Sequence, residues 1–312
     1  MALTSIPDIL RCIGNTSLVP LRNIAPQGGA TVLLKLESEN PTGSLKDRMA
    51  LAMIDAAEAS GLLKPGGAVV EYSTGNAGTA LALVCAVKGY PLHIVTSDAY
   101  APEKRDHMRL YGAQIHLVPS DRGRMTEQLT RNMIETARKI AQETGAYWTD
   151  QLNNEDQILG FHKLGAEIWS QTKGRVEAFV QAVGTAGCLR GVADILRARS
   201  KKVRIVAVEP AESAVLSGGL KGAHQIDGMG AGFIVPLWRA GLADQIEKVS
   251  TADAHAMTLR LAREEGLFAG PSTGANVVAA LRVAQRLGPR DRVVTLLCDT
   301  GMKYLHKYRS GV

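Results

Sequence analysis

What the 312-residue sequence lacks narrows its function before any motif is read. No apolar run approaches the roughly 20 residues that a membrane-spanning helix needs, so no membrane role is expected. Acidic and basic residues are mixed along the chain, the net charge is only +6, and no run of lysines or arginines would line a nucleic-acid groove. A binding face for small anions is all that this mild charge leaves open. The four cysteines, Cys12, Cys85, Cys188 and Cys298, form no C-x-x-C pair. Their spacing argues against a zinc site or a disulfide framework and points to free thiols in a reducing, cytoplasmic setting. The opening "MALTSIPDIL" has neither a basic segment nor a long apolar stretch, so no signal peptide is expected. Internal repeats and low-complexity tracts are missing too.

What is present is a rhythm. With 46% apolar residues, the chain can bury one large core or two smaller ones. Short β-branched runs ("TVLLKLES", "GAVVEYS", "PLHIVTS", "AQIHLVP", "VEAFVQAVG", "VRIVAVEP", "RVVTLLCDT") alternate with helical patterns such as "NAGTALALVCAVKG" and "MTEQLTRNMIETARKIAQETG". That alternation predicts an α/β protein with parallel sheets covered by helices. The units are too numerous for one layer, so two domains are expected. The glycine-dense stretch "LSGGLKGAHQIDGMGAGF" breaks the alternation and predicts a long functional loop.

In open α/β sheets, ligands collect where strands end and helices begin. Four junctions of that kind are rich in glycine or hydroxyl residues: "PTGSLKD", "YSTGNAGTA", "VGTAGCLRG" and "CDTGMKY". In "VGTAGCLRG" the unblocked amides of a helix start suit a phosphate. A dinucleotide competes for this site, because "VRIVAVE" ends in Glu209 at the distance of a ribose-binding acid. Gly184, Gly187 and Gly191 do not follow G-x-G-x-x-G, however, and a plain tight turn is also compatible. In "YSTGNAGTA" the hydroxyls of Ser73 and Thr74 precede Gly75 and Asn76, a setting for a carboxylate. Asn76 would bond a phenolic oxygen or serve as the helix cap. Lys46 sits just inside a helix start, where a cation is electrostatically disfavoured. The same field favours the neutral amine that an imine needs, although a surface lysine would look similar.

Taken in order, "NPTGSLKDR", "STGNAGTALA", "GTAGC", "VEPAESAVLSGGLKGAHQIDGMGAGF", "EEGLFAGPSTGAN" and "CDTGMKYL" resemble the cysteine synthase (O-acetylserine sulfhydrylase) and cystathionine β-synthase family of pyridoxal-phosphate enzymes. The resemblance runs from Ile13 to Leu305. The lysine motif and the "VLSGG…GMGAGF" stretch are its most specific parts. Threonine and serine dehydratases share the fold but usually carry a Phe-Lys-x-Arg-Gly motif, which "SLKDR" does not match.

The resemblance implies a two-domain, tryptophan synthase β-subunit-like fold (fold type II). Residues 41–146 would form a smaller, mobile domain with the substrate carboxylate loop, and residues 1–40 and 147–312 a larger cofactor-binding domain. It implies pyridoxal 5'-phosphate joined to Lys46 through an imine, with Lys46 also moving the Cα proton. Asn76 would contact the ring hydroxyl. Ser73, Thr74, Gly75 and Gln151 would bind the substrate carboxylate, and Gly228 would lie beside its amine. Gly184, Thr185, Ala186, Gly187 and Cys188 would cradle the phosphate, and Thr300 would meet the pyridine nitrogen. A neutral hydroxyl there makes the ring a weaker electron sink and favours β-elimination chemistry. Asp299 in that place would reverse the argument, but an alternating strand end turns only one of the pair to the cofactor.

The implied reaction is β-replacement on an activated L-serine, O-acetyl-L-serine with sulfide giving L-cysteine and acetate. Another nucleophile (homocysteine or an amine) or a β-eliminating lyase is the alternative. From other classes, a nicotinamide-dependent oxidoreductase and a non-catalytic binding protein stay open. The family also suggests a homodimer and a serine acetyltransferase partner, and leaves no room for a regulatory module. Several positions depart from the usual pattern. Ala186 and Cys188 replace a glycine and a threonine, Ala77 a threonine, Asp227 a glutamine or glutamate, and Pro271 an aliphatic residue. Alanine at 186 is expected to resist a left-handed backbone. Trp148, Trp169 and Trp238 read as packing residues, His93, His107 and His116 as surface residues, and His224, in the glycine-dense loop, as the one histidine placed for a site role, although a structural one is equally compatible.

Overall fold

The computed structural model describes residues 8–123 and 126–308. The first seven residues of the opening stretch and Met125, at the start of "MTEQLT", lie outside them. Along the chain the elements are β1 (Leu18–Pro20), β2 (Thr31–Leu36), α1 (Lys46–Ala59), β3 (Val69–Tyr72), α2 (Asn76–Lys88), β4 (Leu92–Ser97), α3 (Pro102–Leu110) and β5 (Gln114–Val118). They continue through α4 (Glu127–Thr144), β6 (Tyr147–Trp148), α5 (Gln157–Gln171), β7 (Ala178–Ala182), α6 (Gly187–Arg199) and β8 (Arg204–Pro210). Last come β9 (Gln245–Val249), α7 (Thr251–Arg260), α8 (Pro271–Gln285), β10 (Arg292–Leu297) and α9 (Leu305–Tyr308). No helix among the described residues is long and apolar enough to cross a membrane.

The chain divides into two units. The smaller holds residues 8–13 and Lys46–Gly160, the larger Gly14–Leu45 and residues 161–308. This corrects the expected boundaries of 41 and 146. β6 pairs with β3 (Val69 opposite Tyr147, Val70 opposite Trp148), which keeps the segment after residue 146 with the smaller sheet. At the other boundary, Ser44 bridges Asp299 and the Leu45 amide donates to the Cys298 carbonyl, so residues 41–45 stay with the larger sheet.

The smaller unit has a parallel sheet in the order β5-β4-β3-β6. Val70, Tyr72 and Val95 on one face pack against Leu129, Met133 and Ala137 of α4. Helix boundaries follow local chemistry. The Thr126 hydroxyl accepts the Leu129 amide at the start of α4, and left-handed Gly145 ends it. His93 and His116, expected at the surface, instead form a half-buried cross-strand pair 3.1 Å apart on β4 and β5.

The larger unit has the order β1-β2-β10-β7-β8-β9, antiparallel only at β1. Its core joins Val180, Val206, Val208 and Val293 to Ala275, Ala279 and Val283 of α8. Between residue 213 and β9 there is neither helix nor strand, as the glycine-dense sequence led us to expect. That loop is fixed by buried Ile226 and Met229 rather than by ladder hydrogen bonds.

The turn from β7 into α6 takes only Val183–Ala186, and Ala186 makes it with φ of 69° and ψ of −10°. Alanine therefore occupies the left-handed region that it was expected to resist. Its buried methyl group packs there at a cost of about 1–2 kcal/mol. Replacing Ala186 by glycine should raise stability by roughly 0.5–1 kcal/mol, the relieved strain less the entropy that glycine loses on folding. Urea unfolding of the two proteins measures this, and a lower midpoint for the glycine variant would show that the turn is not strained.

Candidate active site

In the smaller unit, β3 ends at Tyr72 and the chain turns through Ser73–Gly75 into α2. The buried Ser73 hydroxyl accepts the amides of Gly75 (3.1 Å) and Gly78 (2.8 Å). It does the work of a cap from outside the cap position, which is occupied by Gly75. Asn76 is the first helical residue, so the cap role that the sequence left open for it falls to Ser73. No acidic side chain lies in the first turn of α2, leaving its positive end to an anion. Thr74 is exposed at the tip of the turn. Gln151, 75 residues after Asn76, is brought to the same place: its side-chain amide donates to the Tyr72 carbonyl at 2.9 Å.

Beneath these groups lies Glu71, which the sequence reading passed over. Its carboxylate accepts the Thr149 hydroxyl (2.5 Å), the Gln151 amide (3.1 Å) and the Tyr72 amide (3.0 Å). It thus ties β3 to the segment that carries Gln151. Burial pushes its pKa up to about 7, and the nearby charge of Asp150 adds to this, against the pull of the three hydrogen bonds. The signal was legible: an acid in an otherwise apolar strand, "VVEY", directly before "STGN".

In the larger unit, the segment of residues 184–188 opens α6, whose first turn also carries no acid. Thr185, Ala186, Gly187 and Cys188 are buried there, and the Gly187 amide donates to the Thr185 hydroxyl at 3.3 Å. Gly184 lies so close to the glycine-dense loop that a Cβ on it would stand 2.7 Å from the Gly228 carbonyl oxygen. The Gly230 amide donates to the Val183 carbonyl at 3.0 Å, so this loop and the start of α6 brace each other.

β10 is the neighbour of β7, and at its end Asp299 and Thr300 part company. Asp299 is buried and accepts the Tyr304 hydroxyl at 2.6 Å. Thr300 is half-buried, its hydroxyl taking the Met302 amide at 3.3 Å and its own amide donating to the Gly43 carbonyl at 3.0 Å. A side chain on Gly43 would strike the Thr300 methyl at 2.8 Å, which accounts for glycine in "PTGS". From Leu45, held by Cys298, the chain passes straight into Lys46, the first residue of α1 and half-buried. Asp47 and Arg48 behind it are buried.

These residues fit the pyridoxal phosphate that the resemblance implies. An acid-free, buried helix start at α6 suits a phosphate, glycine at 184 lets the Gly228 loop come close to that start, and a neutral hydroxyl stands at the next strand end. The dinucleotide reading loses its acid. Glu209 is buried and accepts the Leu216 amide, the Ser217 amide and the Ser217 hydroxyl, so it braces its own loop. Among the described residues no cluster of three or more metal-ligating side chains occurs.

Comparison with known proteins agrees with this geometry. Residues 9–299 match the family model described as "Pyridoxal-phosphate dependent enzyme". The chain is 40% identical to a cysteine synthase of Staphylococcus aureus over 98% of this chain and 97% of that one. Its structure superposes on an O-ureido-L-serine synthase with a TM-score of 0.91 and 36% identity, covering 97% of this chain and 95% of the other. It superposes equally well, with a TM-score of 0.91, on O-acetyl serine sulfhydrylase isoform 3 from Entamoeba histolytica, at 34% identity over 100% and 94% of the two chains.

Glu71 makes stability depend on pH in a defined direction. Its folded pKa lies above the ordinary value of 4.5, so its contribution is fully present below about 4.5 and is lost as pH rises through about 7. Glu71→Gln cannot ionise. The difference in unfolding free energy between the variant and the natural protein should therefore move in the variant's favour by roughly 3 kcal/mol between about pH 5 and pH 8. Urea unfolding across that range measures it; a difference that stays flat with pH would mean that Glu71 does not titrate there.

Proposed function

Because the chain belongs to the cysteine synthase and cystathionine β-synthase family of pyridoxal-phosphate dependent enzymes, we propose that it joins O-acetyl-L-serine and sulfide to give L-cysteine and acetate. The observation that carries this reading is the pair at the end of β10. The carboxylate of Asp299 is engaged inside the protein by Tyr304, while the neutral Thr300 hydroxyl stands half-buried beside the α6 strand end. When bound, pyridoxal phosphate supplies an imine link to the substrate amine and an electron sink for the Cα–H bond. A neutral partner for its ring nitrogen keeps that sink weak, so loss of the Cα proton is best coupled to departure of a group from Cβ.

The residues of this chain then divide the work. Gly184, Thr185, Ala186, Gly187 and Cys188 hold the phosphate through α6, Asn76 meets the ring hydroxyl and Thr300 the ring nitrogen. Ser73, Thr74, Gly75 and Gln151 take the substrate carboxylate at the acid-free start of α2. Gly228 lies beside the substrate amine. Lys46 Nζ accepts the Cα proton as acetate leaves Cβ with its bonding electrons, and returns it to Cα after sulfide has bonded to Cβ. A homodimer, a serine acetyltransferase partner and a cytoplasmic setting belong to the same proposal and rest on the family resemblance.

A second reading keeps the chemistry and changes the nucleophile. The family's usual glutamine or glutamate gives way here to Asp227, next to Gly228, and a usual threonine to Ala77. One structure that it superposes on is named for a different serine derivative, O-ureido-L-serine, which supports this reading.

With the cofactor-loaded protein and O-acetylserine, sulfide should give cysteine faster than homocysteine or amines give their products. Faster turnover with one of those nucleophiles would select the second reading. Lys46→Ala should lower turnover by at least about a thousandfold, as expected for loss of a proton-transfer group, with an unchanged unfolding midpoint. A variant that turned over normally would remove Lys46 from the mechanism.

A further inference from the structure

The loop that carries Gly228 is fixed by three separate ties, all within the larger unit. At its neck, the Ile226 amide donates to His224 Nδ1 at 3.2 Å, so the proton sits on Nε2, which donates to the Gly230 carbonyl at 2.8 Å. The imidazole spans the loop as a staple. On the α7 side, the Gln225 amide donates to the Thr251 hydroxyl at 3.2 Å and His255 Nε2 lies 3.1 Å from the Gln225 carbonyl. At the tip, Asp227 forms an ion pair with Lys307 of α9, both side chains about one-fifth exposed.

The tip tie differs from the other two. It is ionic, and it joins the loop to the far side of the β10 end. The Lys307 ammonium stands 5.9 Å from the centre of the Tyr304 ring, and the Tyr304 hydroxyl is the donor to Asp299. Asp299 in turn bridges Ser44, two residues before Lys46. Gly228 follows Asp227 directly and has a left-handed backbone (φ of 86°), so where Asp227 is held decides which way the Gly228 peptide faces. Its carbonyl is the atom that crowds Gly184 at the phosphate loop.

We propose that Lys307 is a positioning residue: by holding Asp227 it orients the Gly228 peptide toward the substrate amine, and so sets the affinity for the amino-acid substrate rather than the rate of the chemistry. This rests on the reading of Gly228 as the residue beside that amine. Asp227 and Lys307 are 80 residues apart, so no local pattern pairs them.

Lys307→Met removes the charge and keeps the stem that packs over Tyr304, and Lys307→Arg keeps both. In the cofactor-loaded protein, Lys307→Met should speed amide hydrogen exchange over residues 227–232 and leave the cofactor's absorbance band unchanged. Its KM for O-acetylserine should rise about threefold to fivefold with kcat within a factor of two, the size expected for a partly exposed ion pair. Lys307→Arg should restore both exchange and KM. About 0.5 M potassium chloride should raise the KM of the natural protein toward that of Lys307→Met, which itself should not respond. Unchanged exchange over 227–232 in Lys307→Met would overturn the tie, and faster exchange with an unaltered KM would overturn the positioning role. If the natural protein made no cysteine from O-acetylserine and sulfide, the reaction reading would fall, while the exchange result would still decide whether Lys307 holds the loop.

Discussion

A helix that starts directly at a strand end leaves its first backbone amides without partners, and these must find an acceptor. Both units use this constraint. At α2 the Ser73 hydroxyl satisfies two amides from just before the helix. At α6 the Thr185 hydroxyl takes the first amide, that of Gly187, and Ala186 accepts a left-handed backbone to make the turn. Neither first turn contains an acid. A carboxylate at one end and a phosphate at the other are the guests that such ends favour, and glycines at 75, 78, 184 and 187 keep side chains out of the way.

The second organising feature is the way buried carboxylates are used as struts. Glu71 suspends the Gln151 segment, Glu209 suspends residues 216–217, and Asp299 is engaged by Tyr304. Each sits at or next to the carboxyl end of a parallel strand. Buried acids at these places accept hydrogen bonds from the loops beside them. Asp299 illustrates this best: the adjacent Thr300, not the acid, stands at the half-buried position.

Much of this was legible in the sequence because the strands are continuous apolar runs and the ligand-side junctions are dense in glycine and hydroxyl residues. Lys46 was expected just inside a helix start and is the first residue of α1. The stretch "LSGGLKGAHQIDGMGAGF" was expected to be a loop and is one. The unit boundaries were missed because β6 has only two residues, too few for any periodicity to register, yet its pairing with β3 decides where the chain crosses over. The cap at α2 was left open because Ser73 acts from two residues ahead of the cap position. Ala186 was misjudged because intrinsic backbone preference gave way to packing, and the His93–His116 pair was missed because cross-strand register cannot be read from one strand.

We propose that the Lys46 amine is the group joined to pyridoxal phosphate. Borohydride reduction of the cofactor-loaded protein, followed by peptide mapping, tests it most directly. Reduction should fix the cofactor to the peptide containing Lys46 and to no other lysine. Attachment to a different lysine, or cofactor released intact after reduction, would contradict the account.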